Sequence, residues 1–341
     1  MSSILIKNYD SLSDLEKLSL VDFSYSRIDT YDQCPSRYFY SYIKKEPRQF
    51  NAPAALGNIV HAVLENTLEN NKVLDLKEIS NHAKASKVPF IVDNTVASPA
   101  LLNPIEHGAN IVIHSLTKYI NGNGTALGGV IIDAGTFDWS SGKFPEFTEP
   151  SPGYHGLIYH DAIGAAAFIA KVRIEGLRDL GGALSPFNAF QIIQGLETLD
   201  IRIKKHSSNA LELAKWLEKR SEVEWVNYPG LESSNYNSLA KKYLPKGQSG
   251  IVTFGVKGGY ESAKTVADKT SIFSLLANIG DTKSLIIHPA STTHQQLGPE
   301  DQASTGVTSD LIRLSVGLED IDDLKKDLEL AFSKIDSKVL V

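Results

Sequence analysis

Residues 88–129 decide the fold of this chain and read VPFIVDNTVASPALLNPIEHGANIVIHSLTKYINGNGTALGG. Two apolar runs within them, 88–92 and 109–113, are continuous and rich in β-branched residues, which is typical of strands buried in a parallel sheet. The segment 101–108 between the runs is long enough for the crossover that parallel strands require. We therefore predict two neighbouring parallel strands of an α/β protein.

Four polar side chains follow these two strands: Asp93 after the first, and Ser115, Thr117 and Lys118 after the second. Open α/β sheets bind ligands just beyond the carboxyl ends of their strands, so the four side chains are predicted to converge. A lysine amine forms a Schiff base with an aldehyde, a carboxylate can hold the proton of a pyridine nitrogen, and hydroxyls can bind phosphate. The set suits pyridoxal 5'-phosphate. The alternative is that Asp93 caps the next segment and Lys118 lies in a solvated turn.

The chain from residue 71 onward resembles the Cys/Met-metabolism family of pyridoxal-phosphate enzymes, most of all the branch that acts on O-acetylhomoserine. The motifs that carry this resemblance are IVDNTVASP, PIEHGANIVIHSLTKYINGNGTALGG, SLIIHPASTTHQQL and LIRLSVGLEDIDDL. The resemblance implies an incomplete fold type I large domain over residues 71–200, with a mostly parallel sheet. Residues 201–341 then form a smaller α+β domain, which the mixture of predicted helices and strands also favours.

The same resemblance implies roles for individual residues. Lys118 is the residue that carries the cofactor and then acts as the general base, and the remaining cofactor-binding residues are Asp93, Ser115 and Thr117. The family also implies a homo-oligomer.

Arg313 lies inside the apolar run LIRLSV, where a guanidinium is costly unless it meets an anion. In the family the matching arginine binds the α-carboxylate of the substrate, with Ser284 nearby; the alternative is a structural salt bridge. The implied reaction replaces the γ-acetate of O-acetylhomoserine with sulfide or a thiol, giving homocysteine or methionine. Two alternatives stay open: cystathionine γ-synthase or γ-lyase chemistry, and an inactive fusion of two truncated genes.

Residues 1–70 differ in character and are predicted to form a short helical fragment. SRIDTYDQCPSRY and GNIVHAVLE resemble the opening of PD-(D/E)XK nucleases of the RecB type, which implies roles for Cys34 and His61. An iron–sulfur cluster needs more cysteines than the single one in this sequence, and the nuclease needs a Glu-x-Lys tripeptide that the sequence lacks. We therefore predict neither nuclease activity nor a metal site.

Charge, cysteine content and hydropathy bear on nucleic-acid binding and on cellular location. The formal net charge is −6, which argues against binding nucleic acid through bulk charge. The single cysteine excludes an internal disulfide framework, no apolar run reaches the length of a membrane span, and the N-terminus lacks a signal-peptide pattern. These features predict a soluble, cytoplasmic protein without membrane contact.

Local patterns predict the remaining elements. The predicted helices are 76–85, 187–199, 207–220, 261–270 and 321–335. The predicted strands are 130–133, 223–228, 250–256, 284–288 and 312–316, and residues 134–160 are predicted to form a long loop.

Overall fold

The computed structural model describes residues 75–336, which hold two separate β-sheets. The predicted helical fragment 1–70, with Cys34 and His61, lies outside the described residues. The predicted division at residue 200 stays a prediction.

The strands are Ile91–Asp93 (β1), Ile111–Ser115 (β2), Gly129–Asp133 (β3), Val223–Asn227 (β4), Ile251–Val256 (β5), Ser274–Leu275 (β6), Leu285–Ile287 (β7) and Leu311–Ser315 (β8). The α-helices are Leu76–Ala85 (α1), Ser98–Leu101 (α2), Pro145–Thr148 (α3), Tyr159–Ile163 (α4), Ala167–Lys171 (α5), Pro186–Glu197 (α6), Leu199–Leu217 (α7), Asn237–Tyr243 (α8), Gly259–Lys269 (α9), Pro299–Ser304 (α10) and Ile321–Phe332 (α11). Single 3-10 turns and one π-helix complete the set: Pro104–His107, Pro152–Tyr154, Gly164–Ala166, Pro289–Ser291 and the π-helix Val172–Asp179.

The first sheet has the order β1-β2-β3. β1 and β2 are parallel, as predicted, with Asp93 opposite Ile113. β3 is antiparallel to β2, so this part of the sheet is mixed rather than mostly parallel. Parallel strands are usually joined by a crossover helix, and the chain between β2 and β3 contains none.

The prediction that both strands are buried is right for β2 and wrong for β1. Ile111 and Val112 of β2 are 1% and 2% exposed, whereas Ile91 of β1 is 40% exposed. β1 is an edge strand within the described residues, so its side chains lack a neighbouring strand that would cover them.

The two faces of β2 pack against different layers. Val112 contacts α1, whose first turn is capped by Asp75 through the amides of Lys77 and Glu78. Ile111 contacts an aromatic cluster from the segment predicted as a long loop, which instead folds into short helices around Trp139. Trp139 is 4% exposed and its ring stacks on Phe168 with centroids 5.3 Å apart.

The second sheet has the order β4-β5-β8-β7-β6 and is antiparallel except for the pair β6–β7. Helices α7, α9 and α11 supply apolar side chains to its core, which explains their amphipathic patterns. This is the predicted small α+β arrangement. Helix α7 begins at Leu199, earlier than predicted, and β6 and α8 have no counterpart among the sequence predictions.

Between the sheets, α6 and α7 pack over the turn that follows β2. Tyr119, Ile120, Ile192 and Ile203 form the centre of this contact and are all buried. The other side of α6 is apolar but exposed. Among residues 75–336, no helix combines the length and the apolar character that crossing a bilayer requires.

Candidate functional site

Lys118 lies in a tight turn directly after β2, which we call the lysine turn and define as residues 116–122. Two amides close it from within: Asn121 donates to the carbonyl of Leu116 at 2.9 Å, and Gly122 donates to that of Lys118 at 2.8 Å. Gly122 has a φ of +74°, which glycine adopts without steric cost. The turn thus holds Lys118 at the carboxyl end of β2, as predicted.

The side chain of Lys118 crosses to the second sheet. Its Nζ donates a hydrogen bond to Oδ1 of Asn278, and the backbone carbonyl of Asn278 accepts one from Nη2 of Arg313 at 3.4 Å. Burial, followed by the positive charge of Arg313, lowers the pKa of Lys118. A lowered pKa raises the fraction of neutral amine, the form that reacts with carbonyl compounds.

Arg313 lies in β8, opposite Thr253 of β5 and Ile287 of β7. Burial lowers the pKa of its guanidinium, and no carboxylate among residues 75–336 forms an ion pair with it. The structural salt bridge considered from the sequence is therefore not found in the described part of the chain. A guanidinium has five N–H donors, and within residues 75–336 most of those of Arg313 remain for an anion.

Asp93 ends β1 and its carboxylate is exposed. Oδ1 accepts a hydrogen bond from the amide of Thr95 at 3.0 Å, so Asp93 does cap the next segment. Its other oxygen makes no hydrogen bond within residues 75–336 and can still meet a protonated ring nitrogen.

The hydroxyl groups of Ser115 and Thr117 differ in the hydrogen bonds that they make within the protein. The amide of Ser115 donates to Oγ1 of Thr95 at 2.8 Å, but its own hydroxyl makes no hydrogen bond within the described residues. The hydroxyl of Thr117 donates to the carbonyl of Gly128 at 3.3 Å and accepts from its amide at 3.1 Å. Ser115 is therefore the freer of the two for binding phosphate.

Ser284 is completely buried, and its hydrogen bonds serve the core of the second sheet. Its hydroxyl donates to Oε2 of Glu319 at 2.8 Å and accepts from the amide of Gly317 at 2.8 Å, and its amide donates to Oε1 of Glu319 at 2.7 Å. None of these contacts reaches Arg313. The structure thus brings Lys118 and Arg313 together but places Ser284 in a structural network.

Asn278 is the site residue that the sequence analysis missed. It lies in the sequence LANIGD between β6 and β7, where no periodicity or charge draws attention to it. The one available signal is the following Gly280, whose φ of +74° allows its backbone to approach the lysine turn.

Comparison with known proteins identifies the family of this chain. The family model described as "Cys/Met metabolism PLP-dependent enzyme" matches residues 49–333. The chain belongs to this family. The family and its cofactor, pyridoxal phosphate, are as predicted, although the match begins inside the segment 1–70 that we had set apart.

Relatives and a solved structure agree with the family. The chain is 52% identical over 303 residues to an O-acetyl-L-homoserine sulfhydrylase of Leptospira meyeri, covering 86% of this chain and 68% of that protein. It is 50% identical over 262 residues to a homocysteine synthase of Schizosaccharomyces pombe, covering 76% and 61% respectively.

The fold is similar to the crystal structure of a Campylobacter jejuni protein assigned as an O-acetylhomoserine (thiol)-lyase, which contains a pyridoxyl-lysine monophosphate. The TM-score is 0.73 at 46% identity, over 77% of this chain and 63% of that one. This chain thus spans roughly two thirds of the length of the family members that it matches.

Proposed function

We propose that this protein catalyses γ-replacement on O-acetylhomoserine with sulfide or a thiol, giving homocysteine or methionine and acetate. The observation that carries the proposal is the Lys118 amine, which has a lowered pKa and is bound to Asn278, the residue that also binds Arg313. The names of relatives at 45–52% identity, which are sulfhydrylases and homocysteine or cysteine synthases, support the choice of substrate.

The residues present fit pyridoxal phosphate. Lys118 would hold it through the amine, Asp93 through its unused carboxylate oxygen at the ring nitrogen, and Ser115 through its unpaired hydroxyl at the phosphate. Thr117 would have to share a hydroxyl that already binds Gly128. When bound, the cofactor supplies an electron sink for a carbanion next to the amino group.

The protein's own side chains would divide the remaining tasks. Arg313 would bind the carboxylate of the amino-acid substrate with a pair of parallel hydrogen bonds, the geometry that guanidinium groups favour. Lys118 would then move protons between the α and β carbons, a step for which a pKa below the usual range of lysine is suited. For Ser284 to bind substrate, its hydroxyl would have to leave Glu319, to which it is bound.

One observation favours the alternative, an inactive protein. Asp93 is exposed, so within the described residues its charge would be screened by water and would hold a ring nitrogen only weakly. Cystathionine γ-synthase or γ-lyase chemistry uses the same residue types, and the present geometry does not favour it over the sulfhydrylase reaction.

We further propose that the protein works as a homo-oligomer in the cytoplasm and without nucleic acid. The exposed apolar face of α6 supports an oligomer: Phe187, Phe190 and Ile193 are 66%, 57% and 57% exposed. Light scattering coupled to size exclusion tests this, and a monomer at micromolar concentration would contradict it.

The visible absorption spectrum tests the proposed function. We expect a band that survives desalting when the wild type is mixed with pyridoxal phosphate, and none for Lys118→Ala. Lys171→Ala is the matched control, because Lys171 is also largely buried but pairs with Glu175. Product formation from O-acetylhomoserine and sulfide would then support the full proposal. A retained band without product would favour the inactive alternative, and no band would contradict cofactor binding.

A further inference from the structure

Arg202 of α7 is a buried cation without an acidic partner in the described part of the chain. It is 7% exposed, and it forms no ion pair with a carboxylate among residues 75–336. A buried charge is costly unless hydrogen bonds compensate it. Four hydrogen bonds do so, and all of their acceptors are neutral oxygens: Thr198 Oγ1 at 3.0 Å, Tyr119 O at 2.7 Å, Ile120 O at 3.1 Å and Gly195 O at 2.6 Å.

These acceptors belong to two different parts of the site. Tyr119 and Ile120 are the two residues that follow Lys118 in the lysine turn. Gly195 lies in the last turn of α6, where the carbonyls carry the negative end of the helix dipole. The guanidinium therefore joins the end of α6 to the backbone directly after Lys118.

Two glycines at this contact have no room for side chains of their own. A Cβ on Gly195 would lie 2.3 Å from the carbonyl oxygen of Asn121, and a Cβ on Gly122 would lie 2.2 Å from Nη1 of Arg202. Two glycines thus leave the space in which one planar group reaches three carbonyls. An ammonium group is a point donor and cannot reproduce that spread.

We infer that Arg202 is a positioning residue that fixes the lysine turn, and with it the amine of Lys118, in the site. It acts through the carbonyls of Tyr119 and Ile120 and contacts no reacting group. Its importance for catalysis rests on the proposed function of Lys118, whereas its effect on the turn does not. Because a displacement of about 1 Å in a reacting group can cost roughly a hundredfold in rate, this fixation matters for covalent chemistry.

Hydrogen exchange of the cofactor-free protein tests the effect on the turn. Its probes are the amides of Asn121 and Gly122, which bond within the turn. In Arg202→Met we expect their exchange to accelerate by about tenfold or more, with amides of β5 and β8 changing less than about twofold. Arg202→Lys should give an intermediate rate. Arg220→Met is the matched control, because Arg220 pairs with Glu222 away from the turn.

Uptake of pyridoxal phosphate supplies a second measurement. After borohydride reduction and peptide mapping, the fraction of label on Lys118 should fall about tenfold in Arg202→Met and recover partly in Arg202→Lys. Unchanged exchange in the turn, or acceleration spread evenly over both sheets, would overturn the inference. If Arg202→Met does not fold, Arg202→Lys decides by the same criterion. A wild type that takes up no cofactor would refute the proposed function, while the exchange rates would still decide the role of Arg202.

Discussion

Mild acid should destabilise this protein through one buried side chain, His206 of α7. Its ring is 0% exposed, and its edge-on contact with Tyr119 has a centroid distance of 5.2 Å. Nδ1 lies 2.6 Å from the carbonyl oxygen of Val316, so it is the nitrogen that carries the proton of the neutral ring. Nε2 has no hydrogen-bond partner among the described residues.

The pKa of His206 explains the expected loss. Burial lowers it from 6.5 to about 4; the positive charge of Arg202 also lowers it, whereas the Val316 carbonyl and the carboxylates of Glu319 and Asp281 oppose the change. Between about pH 6.5 and about pH 4, His206 therefore binds a proton in the unfolded chain but not in the folded protein. The contribution of His206 to the free energy of unfolding is therefore fully present above about pH 6.5, and it is lost progressively as the pH falls toward about 4.

The size of the loss follows from the two pKa values. Each unit of difference corresponds to about 1.4 kcal/mol, so the full loss approaches about 3 kcal/mol below pH 4. Between about pH 7 and about pH 5 the expected loss is about 2 kcal/mol. That is a large fraction of the stability of an ordinary domain.

Urea unfolding followed by tryptophan fluorescence measures this loss in the wild type and in His206→Asn. The asparagine amide can donate to the Val316 carbonyl in place of Nδ1, but it does not titrate. Burial also lowers the pKa values of His114 and His288, and their effects cancel because both proteins contain them. We expect the loss between about pH 7 and about pH 5 to be smaller by about 2 kcal/mol in the variant. Equal losses in the two proteins would refute this account of His206.

Three further changes have expected outcomes. Asn278→Asp places a carboxylate beside Lys118 and should raise its pKa, so the midpoint for uptake of pyridoxal phosphate moves to higher pH in a spectrophotometric titration. Ser284→Ala removes two buried hydrogen bonds and should cost about 1–3 kcal/mol in urea unfolding, with cofactor uptake unchanged; weaker substrate binding at full stability would instead support a binding role. Gly280→Ala puts a Cβ 2.7 Å from the lysine turn and should cost about 1–3 kcal/mol more than Gly142→Ala, which shares a positive φ but has open space around it. Equal melting temperatures for the two glycine variants would contradict that contact.

Elements fixed by local chemistry were predictable from the sequence. Helix α1 has the predicted bounds because its signals are adjacent: Asp75 caps it, and an apolar stripe follows. Helix α7 shows the limit of such signals. Ser207 resembles a capping residue, but its hydroxyl accepts a hydrogen bond from the amide of Ser249 at 3.0 Å, and the helix continues past it to Leu199. Because Ser249 is distant from Ser207 in the sequence, no local pattern predicts this contact.

Some residues of the candidate site were likewise predictable from local sequence, and others were not. Lys118 and Arg313 were predictable because a lysine after a buried strand and an arginine within one are chemically unusual. Asn278 was not, because its importance comes only from the packing of its loop against the lysine turn. The burial of Ser284 depends on Glu319, and the exposure of Ile91 depends on which strand lies beside β1. Both contacts are with residues distant in the sequence, so the local sequence does not predict them.

The groups around the Lys118 amine come from both sheets: the lysine from the first, and Asn278 and Arg313 from the second. A small molecule held by all three would cross-link two hydrophobic cores. Its binding energy is added only when the cores are docked, so saturation at a hundred times the dissociation constant would stabilise the docked state by about 2.7 kcal/mol. Loss of the ligand would therefore destabilise the docking of the two sheets before it destabilised either hydrophobic core.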